Sequence, residues 1–364
     1  MTVIIFIIAL AVLVFVHELG HFLAAKISGI RVDEFGLGFP PKIFGFKRGE
    51  TTYTLNAIPF GGFVKIFGED PNEESIGGPD SARSFVNKPK SLQAMVLVAG
   101  VTFNVIFAWI LISLGFMIGM PVPQGYVAST QLENTAVTIT AVSPNSPAEN
   151  AGLKAGDKVL RLESGTDVKD NPKPEDVSPF INTHKDQEVS VTYERAGVQD
   201  SVAVVPKEGI VANSVAIGIS IDELGILKLP IHTALWEGGK LTGSVIKATA
   251  VGLGQFIYQA VTGNAKLADV TGPVGIAGLV GDARQLGVVY LLSFIAFISI
   301  NLAVINLLPF PALDGGRLLF VLIEKIKGSA INPKIANTIN GVGFALLLLL
   351  MVVVTLQDVI KLFR

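Results

Sequence analysis

His17-Glu18-Leu19-Gly20-His21 sets two imidazoles and a carboxylate at the end of a run that carries no charge. Residues 3–16, VIIFIIALAVLVFV, are wholly apolar, and the apolar pattern resumes at Phe22-Leu23-Ala24-Ala25. Ionisable groups at membrane depth cost on the order of several kcal/mol unless something specific compensates them. Histidines at i and i+4 share one helix face, close enough to bind a single metal ion. The helical period turns Glu18 about 100° away from His17, so it flanks such an ion without having to ligate it. Two ligands and a general base are the working parts of zinc-dependent hydrolysis. Inside a membrane span, they point to peptide-bond cleavage within the bilayer.

A catalytic zinc ion takes three protein ligands and leaves one position open. Of the four histidines, His184 and His232 fall in a polar insertion or at its exit, and the chain has no cysteine. The third ligand is therefore expected to be a carboxylate near a span, and Asp314 is the candidate. It closes Asn306-Leu307-Leu308-Pro309-Phe310-Pro311-Ala312-Leu313-Asp314-Gly315-Gly316. The prolines and glycines must break a helix there, and irregular backbone at membrane depth survives only where protein or a wet cavity satisfies it. Asn306 and Asn104 are amides in otherwise apolar spans. Either could bond a substrate backbone or an oxyanion, or join helices, and Gly100 offers a close helix contact beside Asn104.

These residues need a membrane frame, and the composition supplies one. Half the residues are hydrophobic and 16% are charged, where soluble domains run near a quarter. A net charge of -2 argues against nucleic-acid binding. The chain starts without the basic n-region of a cleaved signal peptide, so the first span is expected to be retained. Four stretches are long enough to cross a bilayer, roughly 2–25, 94–119, 287–308 and 338–358. Lysines and arginines crowd the connections between spans one and two and between spans three and four. The positive-inside rule then puts both connections in the cytoplasm and the 120–285 insertion outside, in a multi-pass protein of the cell membrane.

Residues 35–68 alternate β-formers with Gly and Pro, and Lys47-Arg48-Gly49-Glu50 reads as a hairpin turn. The apolar Ile58-Pro59-Phe60-Gly61-Gly62-Phe63-Val64 stretch could dip toward the metal and offer an edge for an extended substrate, or the hairpin could simply lie on the headgroups. An α+β domain is expected over 125–208, then a linker over 209–286 with an amphipathic surface helix at 230–262. The domains are thus 1–119, 125–208, 209–286 and 287–364.

Ser143-Pro144-Asn145-Ser146-Pro147-Ala148, Gly152-Leu153 and Gly156-Asp157 resemble the PDZ family. With His17–His21, Gly272-Pro273-Val274-Gly275-Ile276 and Asn306–Gly316, the whole chain resembles the site-2 protease family. It is most similar to relatives of the regulator of sigma-E protease that carry one PDZ domain. The resemblance implies a polytopic α-helical membrane protein with about four transmembrane helices, a membrane-associated β-hairpin and an inserted PDZ-like domain. It also implies Zn2+ and cleavage of single-pass membrane proteins already cut by another protease. A membrane PDZ scaffold or a metal carrier without activity is the alternative. Glu18 argues against it, because a carrier needs ligands but no base.

Overall fold

The structure, a computed structural model, describes residues 2–70, 72–126, 132–211, 214–264 and 270–362. The chain opens with helix α1, Thr2–Ile27, followed by strands β1, Val32–Arg48, and β2, Thr51–Ile66. A short helix α2, Glu73–Gly77, leads to the long α3, Lys90–Ile118. Strands β3, Met120–Pro123, and β4, Glu133–Val142, precede helix α4, Pro147–Asn150. Then come β5, Lys158–Ser164, β6, Asp167–Asp170, helix α5, Pro174–Thr183, and β7, Val189–Arg195. Strands β8, Val198–Val204, β9, Lys207–Val211, β10, Ser214–Ala216, and β11, Ile219–Leu227, complete this stretch. Five helices finish the chain: α6, Ile231–Val261; α7, Pro273–Leu286; α8, Val288–Asn306; α9, Asp314–Lys327; and α10, Pro333–Leu362.

Among the described residues, α1, α3, α8 and α10 are long and apolar enough to cross a membrane. Each overlaps a stretch expected from the sequence. They belong mainly to one compact unit, formed by 1–113, 235–283 and 292–364. Its core joins Ala25 of α1, Ile30, Val32 and Ile66 of the hairpin, Val96 and Leu97 of α3, and Val321 of α9. Helices α1 and α3 cross where two glycines meet: a Cβ on Gly20 would stand 3.0 Å from the Gly100 Cα and would collide with the Ala99 carbonyl. Small residues let backbones approach this closely. That crossing sets the depth and rotation of His21.

The hairpin turns at Gly49 with φ 64°. Its strands are longer and more bent than a simple ribbon. Glu34 lies opposite both Thr52 and Lys65, so the start of β1 is flanked by two stretches of β2, while the end of β1 pairs Arg48 with Thr51. Residues 62–66 pair with 32–37 alone, and among the described residues no strand covers their other side. Phe35 of β1 packs edge-on against Phe15 and Phe22 of α1, at 5.7 and 5.2 Å between centroids. Glu50 at the turn bonds Lys26 and Arg83, both at 2.6 Å, which pins the turn to the end of α1.

The second unit comprises 114–234 and 284–291. It holds a seven-stranded sheet in the order β3-β11-β4-β5-β7-β8, with β6 beside β5. Ile139, Leu162, Phe180 and Val191 lie in its core. The Ser-Pro-Ala signal does start a helix, with the Ser146 hydroxyl accepting from Glu149 N–H at 3.2 Å and Pro147 in the first turn. The expected 125–208 boundary is too short at both ends. Strand β11 lies in the stretch read as linker, yet it pairs with β4 through Ile219–Val142 and Ile221–Ile139. Such pairing across about eighty residues leaves no local pattern to read.

Candidate metal centre

Their four-residue spacing and the helical period bring His17 and His21 to one face of α1, where both are buried. Their Nε2 atoms stand 3.2 Å apart. Asp314 opens α9 and points its Oδ2 at both, 3.1 Å from His17 Nε2 and 3.3 Å from His21 Nε2. Zinc bonds of about 2.0–2.1 Å at tetrahedral angles separate ligand atoms by roughly 3.3 Å. The three spacings match. The sequence-expected trio His17, His21 and Asp314 is brought together from two helices far apart in the chain.

The tautomers support a cation there. His21 Nδ1–H donates to the Val96 carbonyl at 2.8 Å, leaving Nε2 as a bare lone pair. Asp314 Oδ2 is buried and finds no hydrogen-bond donor. Two imidazole nitrogens and a carboxylate oxygen this close, each able to present a lone pair inward, fit a bound dication. The side-chain amide of Asn104 lies 3.1 Å from His17 Nδ1, and its Oδ1 is buried without a partner. Holding a metal through Nε2 puts the His17 proton on Nδ1, and Oδ1 is the acceptor that proton needs once the amide is turned by 180°.

Asn104 therefore lies against the Nδ1 side of His17. It is fully buried, and its backbone carbonyl accepts from Ser299 Oγ at 2.9 Å. The α1–α3 crossing turns its amide toward His17, at 3.1 Å from Nδ1, which suits a contact that would orient that imidazole. Asn306 ends α8 and is not among the residues lining the metal cavity. The chain turns immediately beyond it, and Ala312 and Asp314 line the cavity.

The turn itself explains the Leu-Asp-Gly-Gly run. Ala312 adopts φ 72°, a left-handed conformation that costs a residue with a Cβ about 1 kcal/mol or more. Any side chain at Gly315 would strike the Leu307 and Leu308 carbonyls, and one at Gly316 the Phe310 carbonyl. The two glycines let the irregular chain between α8 and α9 fold back on the start of α9, which aims Asp314 inward.

Around these ligands is a cavity of about 490 Å³, lined also by Glu18, Phe63, Val64, Ile66, Glu69, Arg317 and Asn340. Glu18 thus lines the same cavity without being part of the His-His-Asp group. Gly62 faces it: a Cβ there would lie 3.7 Å from Glu18 Cγ. Gly61, with φ 100°, turns the strand just before, under the ring of Phe39. Phe63 lines the cavity, and the side chain of Phe60 lies outside the described residues. Glu69, Arg317 and Asn340 are cavity residues that the sequence did not single out. Arg317 bonds Glu69, and burial pushes the Glu69 carboxyl up against the opposing pull of that guanidinium. The signal for Arg317 was its place one turn after Asp314; Glu69 and Asn340 gave none.

Comparison with known proteins now decides the family. The model of peptidase family M50 matches residues 5–350. This chain belongs to that family. It is 32% identical to the regulator of sigma-W protease RasP of Bacillus subtilis, over 100% of this chain and 99% of that one. It is 31% identical to the zinc metalloprotease RasP of Geobacillus kaustophilus, over 100% and 98%. A provisionally named zinc metalloprotease of Clostridium perfringens is 37% identical over 99% of both chains. The protein is a membrane-embedded zinc metalloendopeptidase of the site-2 type.

Proposed function

We propose that the protease cuts single-pass membrane proteins within their transmembrane segment, after another protease has trimmed the part outside the membrane. The observation that carries this is the uncovered edge of β2 at 62–66 beside the metal cavity. A transmembrane helix hides its amide bonds, so it must unwind locally before any of them can be attacked. Pairing with a strand edge replaces backbone hydrogen bonds that bilayer hydrocarbon cannot supply.

His17, His21 and Asp314 would hold the zinc ion, which supplies Lewis acidity to a water and to the scissile carbonyl. Glu18 takes the water's proton and passes it to the departing amine. Asn104 fixes the plane of His17, and the Val96 carbonyl fixes that of His21. Phe63 and Val64 line the space in which the extended peptide would lie.

The PDZ-like resemblance and the large soluble unit favour a size filter that excludes substrates with bulk still attached. The basic loops favour the plasma membrane with the metal toward the cytoplasm. Anti-sigma factors and signal-peptide remnants both suit such a site. The test is co-expression with tagged single-pass proteins of the host, intact and pre-trimmed, comparing wild type with Glu18→Gln. Trimmed substrates should be cut by wild type and accumulate uncut with Glu18→Gln. Equal processing in both would refute the proposal.

A further inference from the structure

A peptide strand has two hydrogen-bonding edges, and β2 can satisfy only one of them. At this depth the other edge also needs partners, since each buried polar group left unpaired costs about 1–3 kcal/mol. The wall that faces the cavity from α10 carries Asn340, Gly341 and Phe344. Asn340 Oδ1 accepts from the Ala312 N–H at 3.3 Å, which fixes the orientation of the amide. Its Nδ2 has no protein partner among the described residues. Arg317 is engaged with Glu69 and approaches Asp70 at 3.8 Å. The close seating of α10 holds Asn340 in place: a Cβ on Gly343 would stand 2.5 Å from Pro311 Cβ and 2.8 Å from the Pro311 carbonyl oxygen.

We infer that Asn340 is a substrate-binding residue whose Nδ2 donates to a main-chain carbonyl on the substrate edge facing away from β2. Resting on the extended-substrate proposal above, this places the cut segment between the 62–66 edge and α10. Asn340 then has two separate duties. Its oxygen braces the strained turn that aims Asp314, and its nitrogen grips the peptide.

The two duties can be separated in the Glu18→Gln background, where peptide binds without being cut. Asn340→Asp keeps the acceptor for Ala312 and removes the donor, and Asn340→Leu removes the donor without adding charge. The probe is a fluorescent single-span peptide with a Gly-Pro pair in its span, titrated in detergent micelles, with zinc content measured on the same samples. Both variants should weaken binding about tenfold, the weight of one buried hydrogen bond left unmade. The Asp variant should keep its zinc. Unchanged peptide affinity in Asn340→Asp would overturn the inference. So would weakening confined to Asp, which would mean charge repulsion, or zinc loss in Asp, which would mean that the residue acts through the turn alone. Because binding is read without cleavage, the outcome stands apart from whether the wild type cuts the trimmed substrates.

Discussion

Replacing Asn104 with Ala should weaken zinc binding tenfold to a hundredfold, although Asn104 is not a ligand. The residue is fully buried, and its amide sits 3.1 Å from His17 Nδ1. Removing it strands the Nδ1 proton in a dry site, which costs about 1–3 kcal/mol. At about 1.4 kcal/mol per decade, that is a factor of about 5 to 150 in affinity. Loss of outer-shell partners at metal sites falls in the same range, about 10–100-fold. Asn104→Asp keeps an oxygen where the proton points, so it should hold zinc at least as tightly as wild type. Chelator competition in detergent solution, with zinc read by atomic emission, measures all three proteins. Asn306→Ala serves as the control and should stay within about twofold, since Asn306 is not in the cavity wall. If Asn104→Ala bound zinc within twofold of wild type, or if Asp lost it as fully as Ala, the ligand-orienting role would be wrong.

A methyl group at Gly100 would collide with the His21 ring, so Gly100→Ala should lose most of its zinc and its cleavage while the chain still inserts in membranes. In the second unit, Asp157 is fully buried and held by Arg195 at 2.6 and 2.7 Å, so Arg195→Met should destabilise that unit by about 3–5 kcal/mol. Faster hydrogen exchange in β5 and β7 would show it, and adding Asp157→Asn should restore most of the protection. Hydrogen bonding to Lys26, with Arg83 assisting, holds the Glu50 carboxyl below its ordinary range. Its contribution, about 0.5–1 kcal/mol after screening, is present above roughly pH 4.3 and is lost as pH falls through the depressed value. The Tm gap between wild type and Glu50→Gln should therefore close in acid. Replacing a Gly or Pro in a substrate span with Leu raises the unwinding cost by about 1–3 kcal/mol, and cleavage should slow by roughly fivefold or more per ~1 kcal/mol; rates indifferent to these changes would remove unwinding as the limiting step.

The metal trio was legible because its chemistry is scarce in this chain. With four histidines and no cysteine, few residues could meet at one depth in an apolar segment. The helical period alone put His17 and His21 on one face, and the broken run before Asp314 announced a cavity. The four spans and the turn at Gly49 were legible for similar local reasons: length, hydropathy and turn chemistry. Strand β11 was not, because its partner β4 lies far back in the chain and its own residues, ISIDELGIL, alternate too weakly to mark a buried strand.

The amides mark where one-dimensional reasoning stops. Asn104, Asn306 and Asn340 all look alike from sequence, since each is a polar residue in or at the end of an apolar span. What separates them is helix rotation. The Gly20–Gly100 contact fixes how α3 is turned against α1, and that turn points Asn104 at the back of His17. A rotation of about 100°, one residue's worth, would have aimed it elsewhere with no change in pattern. Asn340 is fixed in the same way by Gly343 against Pro311, which carries it to the cavity wall formed by α10. The small residues that set these crossings therefore decide function as firmly as the ligands do. A substitution at Gly100 or Gly343 should be read as a change to the site, because an added Cβ would meet the His21 ring in one case and Pro311 in the other.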